Sequence, residues 1–288
     1  MDFPLLVFTD LDGTLLDHQS YSFQGAAETL QRLQHHAIPL ILTSSKTRVE
    51  LEALQEKLRL HAPFIAENGG GLFIPRDYDL TATDLLETAG DYYTMVFGRP
   101  YSSIREVFET LRPRYSIKGF GDMALAEIIA LTGLPEEDVE RARQRDFSEP
   151  FIFLAEPRLE KLQEEAGAHG LQVVRGGRFF HLLGAGQDKG LAVAATTRLF
   201  QASCPRKITT VGLGDAANDL PMLRAVDIPV LVQKPDGSFE ETRLAGVRCS
   251  PFPGSRGWGA AMTAILDEWL PQLGLGHSGG PEMTENTL

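Results

Sequence analysis

Two cysteines, Cys204 and Cys249, stand far apart in 288 residues. That scarcity excludes a disulfide framework and any Cys-rich zinc site. Long apolar runs are missing too: no stretch approaches the roughly 18 consecutive apolar residues of a membrane-spanning helix. Basic residues are the minority, 27 against 39 acidic ones, for a net charge of −12. A chain so acidic lacks the basic face that nucleic acid demands, so no nucleic-acid partner is expected. A small phosphorylated ligand stays open, because a few local cations suffice. The first residues, Met1, Asp2, Phe3 and Pro4, carry neither the basic segment nor the apolar run of a signal peptide. The expectation is a soluble cytoplasmic protein with no membrane partner. No internal repeat is evident. The Gly-rich stretch over residues 274–288 is expected to lie outside the fold as a tail.

What is present is ordinary for a globular chain, with 43% hydrophobic and 23% charged residues. Short apolar runs alternate with helical periodicity near both ends. Leu5 to Phe8 reads as a strand buried on both faces. Ala27, Leu30 and Leu33 fall at helical spacing, Ile38 to Leu42 as a second strand, and Leu51, Leu54 and Leu58 as a second helix. Phe64 to Ala66 begins a third strand. The rhythm returns at Ala192–Leu199, Ile208–Leu213, Leu220–Ala225, Ile228–Val232 and Ala261–Trp269. Strand alternating with helix predicts an α/β fold with a Rossmann-like parallel sheet. The middle reads differently: short strands follow one another across Gly-rich turns such as Gly176 and Gly177, which is α+β character. The expected organisation is a core of residues 1–87 and 186–273, with an inserted cap over residues 88–185.

Four polar clusters sit at strand ends or helix starts of that core. Asp10 and Asp12, with Gly13 and Thr14, follow the first strand. Two carboxylates two residues apart at such an end suit a hard cation such as Mg²⁺, and an aspartate there can also attack phosphorus. An EF-hand fits poorly, because its glycine belongs at the sixth position and Gly13 stands at the fourth. Gly212, Gly214 and Ala217 match a dinucleotide-binding pattern. However, Asp215 would then sit inside the pyrophosphate loop, so Asp215, Asn218 and Asp219 point to a metal instead. Thr43, Ser44, Lys46 and Arg48 open the second helix, where hydroxyls and backbone N–H groups can hold an anion or simply cap the helix. Lys189 opens the helix after the insert and can offset clustered carboxylates.

The ordered set of Asp10-x-Asp12-Gly13-Thr14, a hydroxyl residue after strand two, Lys189 and Gly214-Asp215-x-x-Asn218-Asp219 resembles the haloacid dehalogenase-like phosphatases. Glu67-Asn68-Gly69-Gly70-Gly71, Gly119-Phe120-Gly121-Asp122 and Gly176-Gly177-Arg178-Phe179-Phe180-His181 carry a narrower resemblance, to the mannosyl-3-phosphoglycerate phosphatase family within the branch with a large α/β cap. The resemblance implies a phosphoric monoester hydrolase for a small phosphorylated sugar–glycerate substrate. It implies Asp10 as nucleophile, Asp12 as acid and base, and Mg²⁺ held by Asp10, the Asp12 backbone and Asp215. Ser44, or else Thr43, would bind the phosphoryl group and Lys189 would stabilise it. Asn218 and Asp219 would orient the metal shell and Lys189. Lys46, Arg48, Asn68, Arg178 and His181 are the expected substrate contacts. Other sugar phosphates, among them glucosyl-3-phosphoglycerate and sucrose phosphate, and mutase-type phosphotransfer remain alternatives.

Overall fold

The structure is a computed structural model and describes residues 5–81 and 86–271. The expected tail over 274–288 lies outside the described residues. Strands β1 (Leu5–Thr9), β2 (Leu40–Thr43), β3 (Phe64–Ala66), β4 (Gly71–Pro75), β5 (Glu87–Ala89), β6 (Tyr92–Val96), β11 (Thr209–Gly214), β12 (Ile228–Gln233) and β13 (Arg248–Pro253) form one large sheet. Its order is β13-β12-β11-β1-β2-β3-β4-β6-β5. From β13 to β3 neighbours run parallel, whereas β4, β5 and β6 pair antiparallel at one edge.

Strand β1 is fully buried, and its side chains alternate between two cores as a two-residue period requires. Leu5 and Val7 pack with Trp258, Met262 and Ile265, whereas Leu6 and Phe8 pack with Val193, Phe200 and Leu223. Helices cover both faces: α1 (Ala27–His35), α2 (Arg48–Leu58) and α9 (Gly254–Trp269) contribute to the first core, α7 (Lys189–Ala202) and α8 (Leu220–Arg224) to the second. The parallel α/β class is thereby met. Strand order reverses at β1, flanked by β11 on one side and β2 on the other, so a crevice opens at the carboxyl ends of these strands.

A second sheet, in the order β7-β8-β10-β9, forms the cap. Its strands β7 (Ile117–Gly119), β8 (Ser148–Phe153), β9 (Leu171–Arg175) and β10 (Phe180–Gly184) pair antiparallel throughout. Helices α3 (Tyr101–Tyr115) and α6 (Leu159–Ala168) fill the cap's main core with Phe108, Phe151 and Leu162. Helices α4 (Leu125–Thr132) and α5 (Glu136–Ala142) build a smaller cluster around Phe120 and Ile128.

One placement differs from expectation. Strand β6 was expected inside the insert, yet it pairs with β4 in the large sheet. The reason is packing: Tyr92 meets Phe64 and Phe73 edge-on, with ring centroids 5.5 and 5.9 Å away, and extends the core aromatic cluster. The glycines after Asn68 therefore close a β3–β4 hairpin. Glu67, Asn68 and Gly69 all take positive φ there. A side chain at Gly69 would strike the Asp188 carbonyl at 2.1 Å, so only glycine fits where this turn meets the chain returning from the cap.

Candidate active site

The site is built where β1, β2 and β11 end. Asp10 follows β1, and its amide donates to the Leu213 carbonyl across the β1–β11 junction. Trp258 Nε1 donates to Thr9 Oγ1, and that hydroxyl donates to the Asp10 carbonyl at 2.7 Å. The main chain at Asp10 is thus held from β11 on one side and, through Thr9, from Trp258 of α9 beneath. Gly13 takes φ +89°, and a β-carbon there would lie 2.6 Å from an Asp215 oxygen, so the turn presses directly against the second acidic loop.

Lys189 is the hub. It is the first residue of α7, whose N-cap Asp188 accepts from the Leu191 amide. Fully buried, Lys189 Nζ donates to Asp10 Oδ1 and Asp219 Oδ1, each at 2.6 Å. Burial alone would lower this ammonium, but Asp10 and Asp219 more than offset that and raise it above the ordinary lysine range. Asp219 Oδ2 accepts the amides of Asp215 and Ala216, so both its oxygens are committed. Thr14 Oγ1 donates to Asp215 Oδ1 at 3.0 Å.

Oxygens of Asp10, Asp215 and Asp219 all lie within 4.8 Å of one another. Burial and mutual repulsion push the Asp10 and Asp215 carboxyls well above the ordinary aspartate range, although Lys189 opposes the shift. Three carboxylates share one lysine here, and Asp219 is already filled. Asp10 and Asp215 are therefore hard oxygen donors with uncompensated charge, a set that fits a divalent cation such as Mg²⁺.

Asp12, two residues beyond Asp10, stays partly exposed and pairs with Lys46 Nζ at 2.9 Å. Lys46 also lies 3.9 Å from Glu50 and over the Tyr21 ring. Helix α2 starts immediately after, through a capping box between Thr47 and Glu50. That box turns the 44–47 segment sharply and aims Lys46 at the strand ends.

A cavity of about 130 Å³ joins these groups to the cap. Asp10, Asp12, Ser45, Lys46, Asp215 and Asn218 line it from the core, and Arg145, Arg178, Phe179 and His181 from the cap. Arg178 Nη1 donates to the Thr132 carbonyl, and Nη2 reaches His18 of the core at 3.4 Å. His181 is buried, which drives its pKa down to about 3, helped by the nearby charges of Arg145 and Lys189. It is therefore a neutral imidazole, suited to hydroxyl groups more than to pairing a carboxylate.

The structure brings together Asp10, Asp12, Lys46, Lys189, Asp215, Asn218, Asp219, Arg178 and His181. Ser44 is buried, with its Oγ accepting from the Lys46 amide at 3.3 Å. Thr43 turns its hydroxyl back to the Ile41 carbonyl of its own strand. Asn68 accepts from Asn218 at 3.0 Å, which ties the β3–β4 turn to the Asp215 loop. Arg48 is not brought to the cavity: its guanidinium pairs along α2 with Glu52 at 2.5 Å. As the first residue of the helix it projects sideways, while Lys46 in the preceding turn projects inward.

Two buried groups had no role assigned from sequence. Glu67 accepts from the amides of Asp146 and Phe147 and from Ser148 Oγ, all at the start of cap strand β8. Arg145 donates from Nη1 to the Ser45 carbonyl at 2.8 Å. The Glu67 turn was visible as a motif, but its partners lie some 80 residues on. Nothing local marks Arg145 among its neighbours.

Residues 7–89 match the family model of the haloacid dehalogenase-like hydrolases. The fold agrees with solved structures of low identity. One is a sucrose-phosphatase from Synechocystis sp. PCC6803 (TM-score 0.59, 16% identity, covering 93% of this chain and 98% of that one). Another is a Thermoplasma acidophilum protein (TM-score 0.63, 19% identity, 91% and 96%). Among curated relatives, a glucosyl-3-phosphoglycerate/mannosyl-3-phosphoglycerate phosphatase of Persephonella marina is 42% identical over 92% of this chain and 98% of its own length. A phosphatase of the same name from Methanococcoides burtonii is 40% identical over 91% and 97%. The chain belongs to the haloacid dehalogenase-like hydrolases and, within them, to the family of these two phosphatases. It is a phosphoric monoester hydrolase.

Proposed function

We propose that the protein hydrolyses mannosyl-3-phosphoglycerate to mannosylglycerate and phosphate. The observation that carries this reading is the cavity itself, in which the Asp10–Lys189–Asp215 cluster faces cap cations across a small space between core and cap. The printed names of the two relatives support the substrate class, and the glucosyl analogue is the second reading for the same reason.

The chemistry follows from the side chains. An Asp10 oxygen attacks phosphorus and forms an aspartyl-phosphate, while the bond to the glycerate oxygen breaks. Asp12 gives its proton to that departing oxygen. It then takes a proton from water, which attacks phosphorus and frees phosphate and Asp10. Lys46 holds the Asp12 carboxylate in place between the two steps. Lys189 fixes the Asp10 rotamer and places a positive charge beside the transferring group. Ser44 Oγ keeps its proton for a phosphoryl oxygen, whereas the Thr43 proton is spent on Ile41. Mg²⁺ would be held by Asp10, the Asp12 main-chain carbonyl and Asp215, and when bound supplies Lewis-acid screening between the anionic nucleophile and the anionic substrate. Asp219 holds Lys189 and the Asp215 loop, and Asn218 ties that loop to Asn68. Cap residues exclude water and choose the leaving group.

Phosphate release tests the reading directly, with the mannosyl and glucosyl substrates beside sucrose phosphate and mannose phosphates. The expected result is preference for the 3-phosphoglycerate glycosides, lost on chelation and restored by Mg²⁺. Equal release from all of them would refute the substrate assignment. An isomerised sugar phosphate as product would refute hydrolysis.

A further inference from the structure

Phosphoryl transfer as described uses the core charges and leaves one cap cation without a task. Arg145 lies in the loop between α5 and β8, lines the cavity, and has a side chain only 5% exposed. Its Nε donates to the Ala142 carbonyl at 2.7 Å and its Nη1 to the Ser45 carbonyl at 2.8 Å. Both anchors are neutral oxygens. The nearest ion-pair contact, from Nη2 to Glu50 Oε2, is 3.8 Å, beyond hydrogen-bonding distance. Two further carboxylates face Arg145, and both are filled: Glu67 by three donors at or just before the start of β8, and Glu149 by the Tyr101 hydroxyl and the Gly121 amide, with Arg105 beside it. The other cations at the cavity are committed: Lys46 to Asp12, Lys189 to Asp10 and Asp219, and Arg178 to the Thr132 carbonyl. Arg145 is therefore pinned by two edges of its fork while Nη2 has no hydrogen bond among the described residues.

A second observation marks the same wall. His181 Nδ1 is buried and has no hydrogen-bond partner among the described residues, and His181 lines the cavity with Arg145. An orphaned buried polar atom costs roughly 1–3 kcal/mol, so a ligand group that satisfies it is favoured. A hydroxyl both donates and accepts, and it fits either tautomer of a neutral imidazole. A planar carboxylate suits the unpaired edge of a guanidinium. A second phosphate, carrying up to two charges, would sit less well beside Glu50.

We infer that Arg145 and His181 form a recognition subsite in the cap for a carboxylate with an adjacent hydroxyl on the leaving group, opposite the phosphoryl end at Asp10. The subsite rests on the proposed function and deepens it: Arg145, and not Arg178, reads the glycerate carboxylate. Arg178 instead clasps the cap to the core through His18.

The test compares mannosyl-3-phosphoglycerate with its carboxyl methyl ester in steady-state kinetics with Mg²⁺. Wild type is expected to favour the free acid, chiefly through KM. Arg145→Gln is expected to raise KM for the acid roughly 10- to 100-fold, the range of one lost charge-assisted hydrogen bond. Turnover of the ester should stay within about threefold, and this also shows that the variant is folded. Arg145→Lys should recover part of the acid preference, because it restores the charge without the fork; should the Gln variant not fold, this partial loss of preference is the readout. Equal losses on acid and ester would overturn the subsite and leave Arg145 a structural clamp between Ala142 and Ser45. A wild-type enzyme indifferent to esterification would overturn it as well. A wild-type enzyme that releases phosphate from neither compound, yet does so from another sugar phosphate, would overturn the substrate reading and the subsite with it.

Discussion

The floor and the roof of the cavity are built on opposite principles. On the floor the charged groups are spoken for, although Asn68 Nδ2 at its edge is buried without a partner among the described residues. Lys189 binds two carboxylates, Asp219 accepts from Lys189 and two amides, and Asp12 holds Lys46. On the roof polar atoms are left open: Nη2 of Arg145 and Nδ1 of His181. Chemistry benefits from a preorganised, saturated network, since charges need not move during the reaction. Recognition needs the reverse, because donors without partners favour the ligand that completes them and reject one that cannot. The two halves are joined by Glu67, a core residue whose carboxylate accepts three bonds from Asp146, Phe147 and Ser148, where the chain enters the cap strand β8.

If this contrast is right, the largest effect lies on the floor. Asp10→Asn should cut phosphate release by about 10⁴-fold or more, the range seen when a nucleophile is removed. It should leave thermal stability equal or higher, because one of three mutually repelling buried carboxylates becomes neutral. A clear drop in melting temperature would contradict the picture of a charge-strained floor. Lys189→Met should come next. Removing the cation that three buried carboxylates share should cost about 3–5 kcal/mol in denaturant unfolding and about 10²- to 10³-fold in turnover. Mg²⁺ should recover part of the stability but not the turnover.

The roof responds to pH. His181 has an ordinary value of 6.5 and is held at about 3 in the fold. Between those values the unfolded chain binds a proton that the native state refuses, so stability is present above pH 6.5 and is lost as pH falls toward 3. At pH 5 the loss amounts to about 2 kcal/mol relative to pH 8. Urea titrations at both pH values should show His181→Gln with a flatter dependence by that amount. An unchanged slope would mean that His181 accepts a proton without unfolding. The smallest effect belongs to neither face. Arg48→Ala should change kinetics within experimental error and stability by about 0.5 kcal/mol or less, the scale of an exposed i,i+4 pair.

Much of the floor was legible in the residue order. Asp10, Asp12, Lys189 and Asp215 each follow a buried strand or open a helix, and a parallel sheet must bring such ends to one edge. Ser44 and Thr43 were not separable by position; only in the fold do they differ, the Thr43 hydroxyl donating to Ile41 and Ser44 Oγ accepting from the Lys46 amide. Arg48 was misplaced because charge near a helix start says nothing of which way a side chain leaves the helix. Strand β6 was assigned to the wrong sheet for a related reason. Its position within 88–185 put it with the short strands of the insert, but its partner depended on the stacked Phe64 and Phe73 rings at the core edge.

The cap loop shows the division most sharply. Arg141, Arg143 and Arg145 alternate along five residues and are alike in chemistry. Arg141 pairs with Asp138 and Glu137 on its own helix, and Arg143 is exposed. Arg145 alone of the three reaches Ser45 in the core, 100 positions earlier in the chain. Periodicity, caps and strand-end carboxylates are preferences that act over a few residues, so they can be read from order and spacing. The selection of one arginine from three comes from docking two surfaces that the chain brings together only when folded, and no short-range preference encodes it.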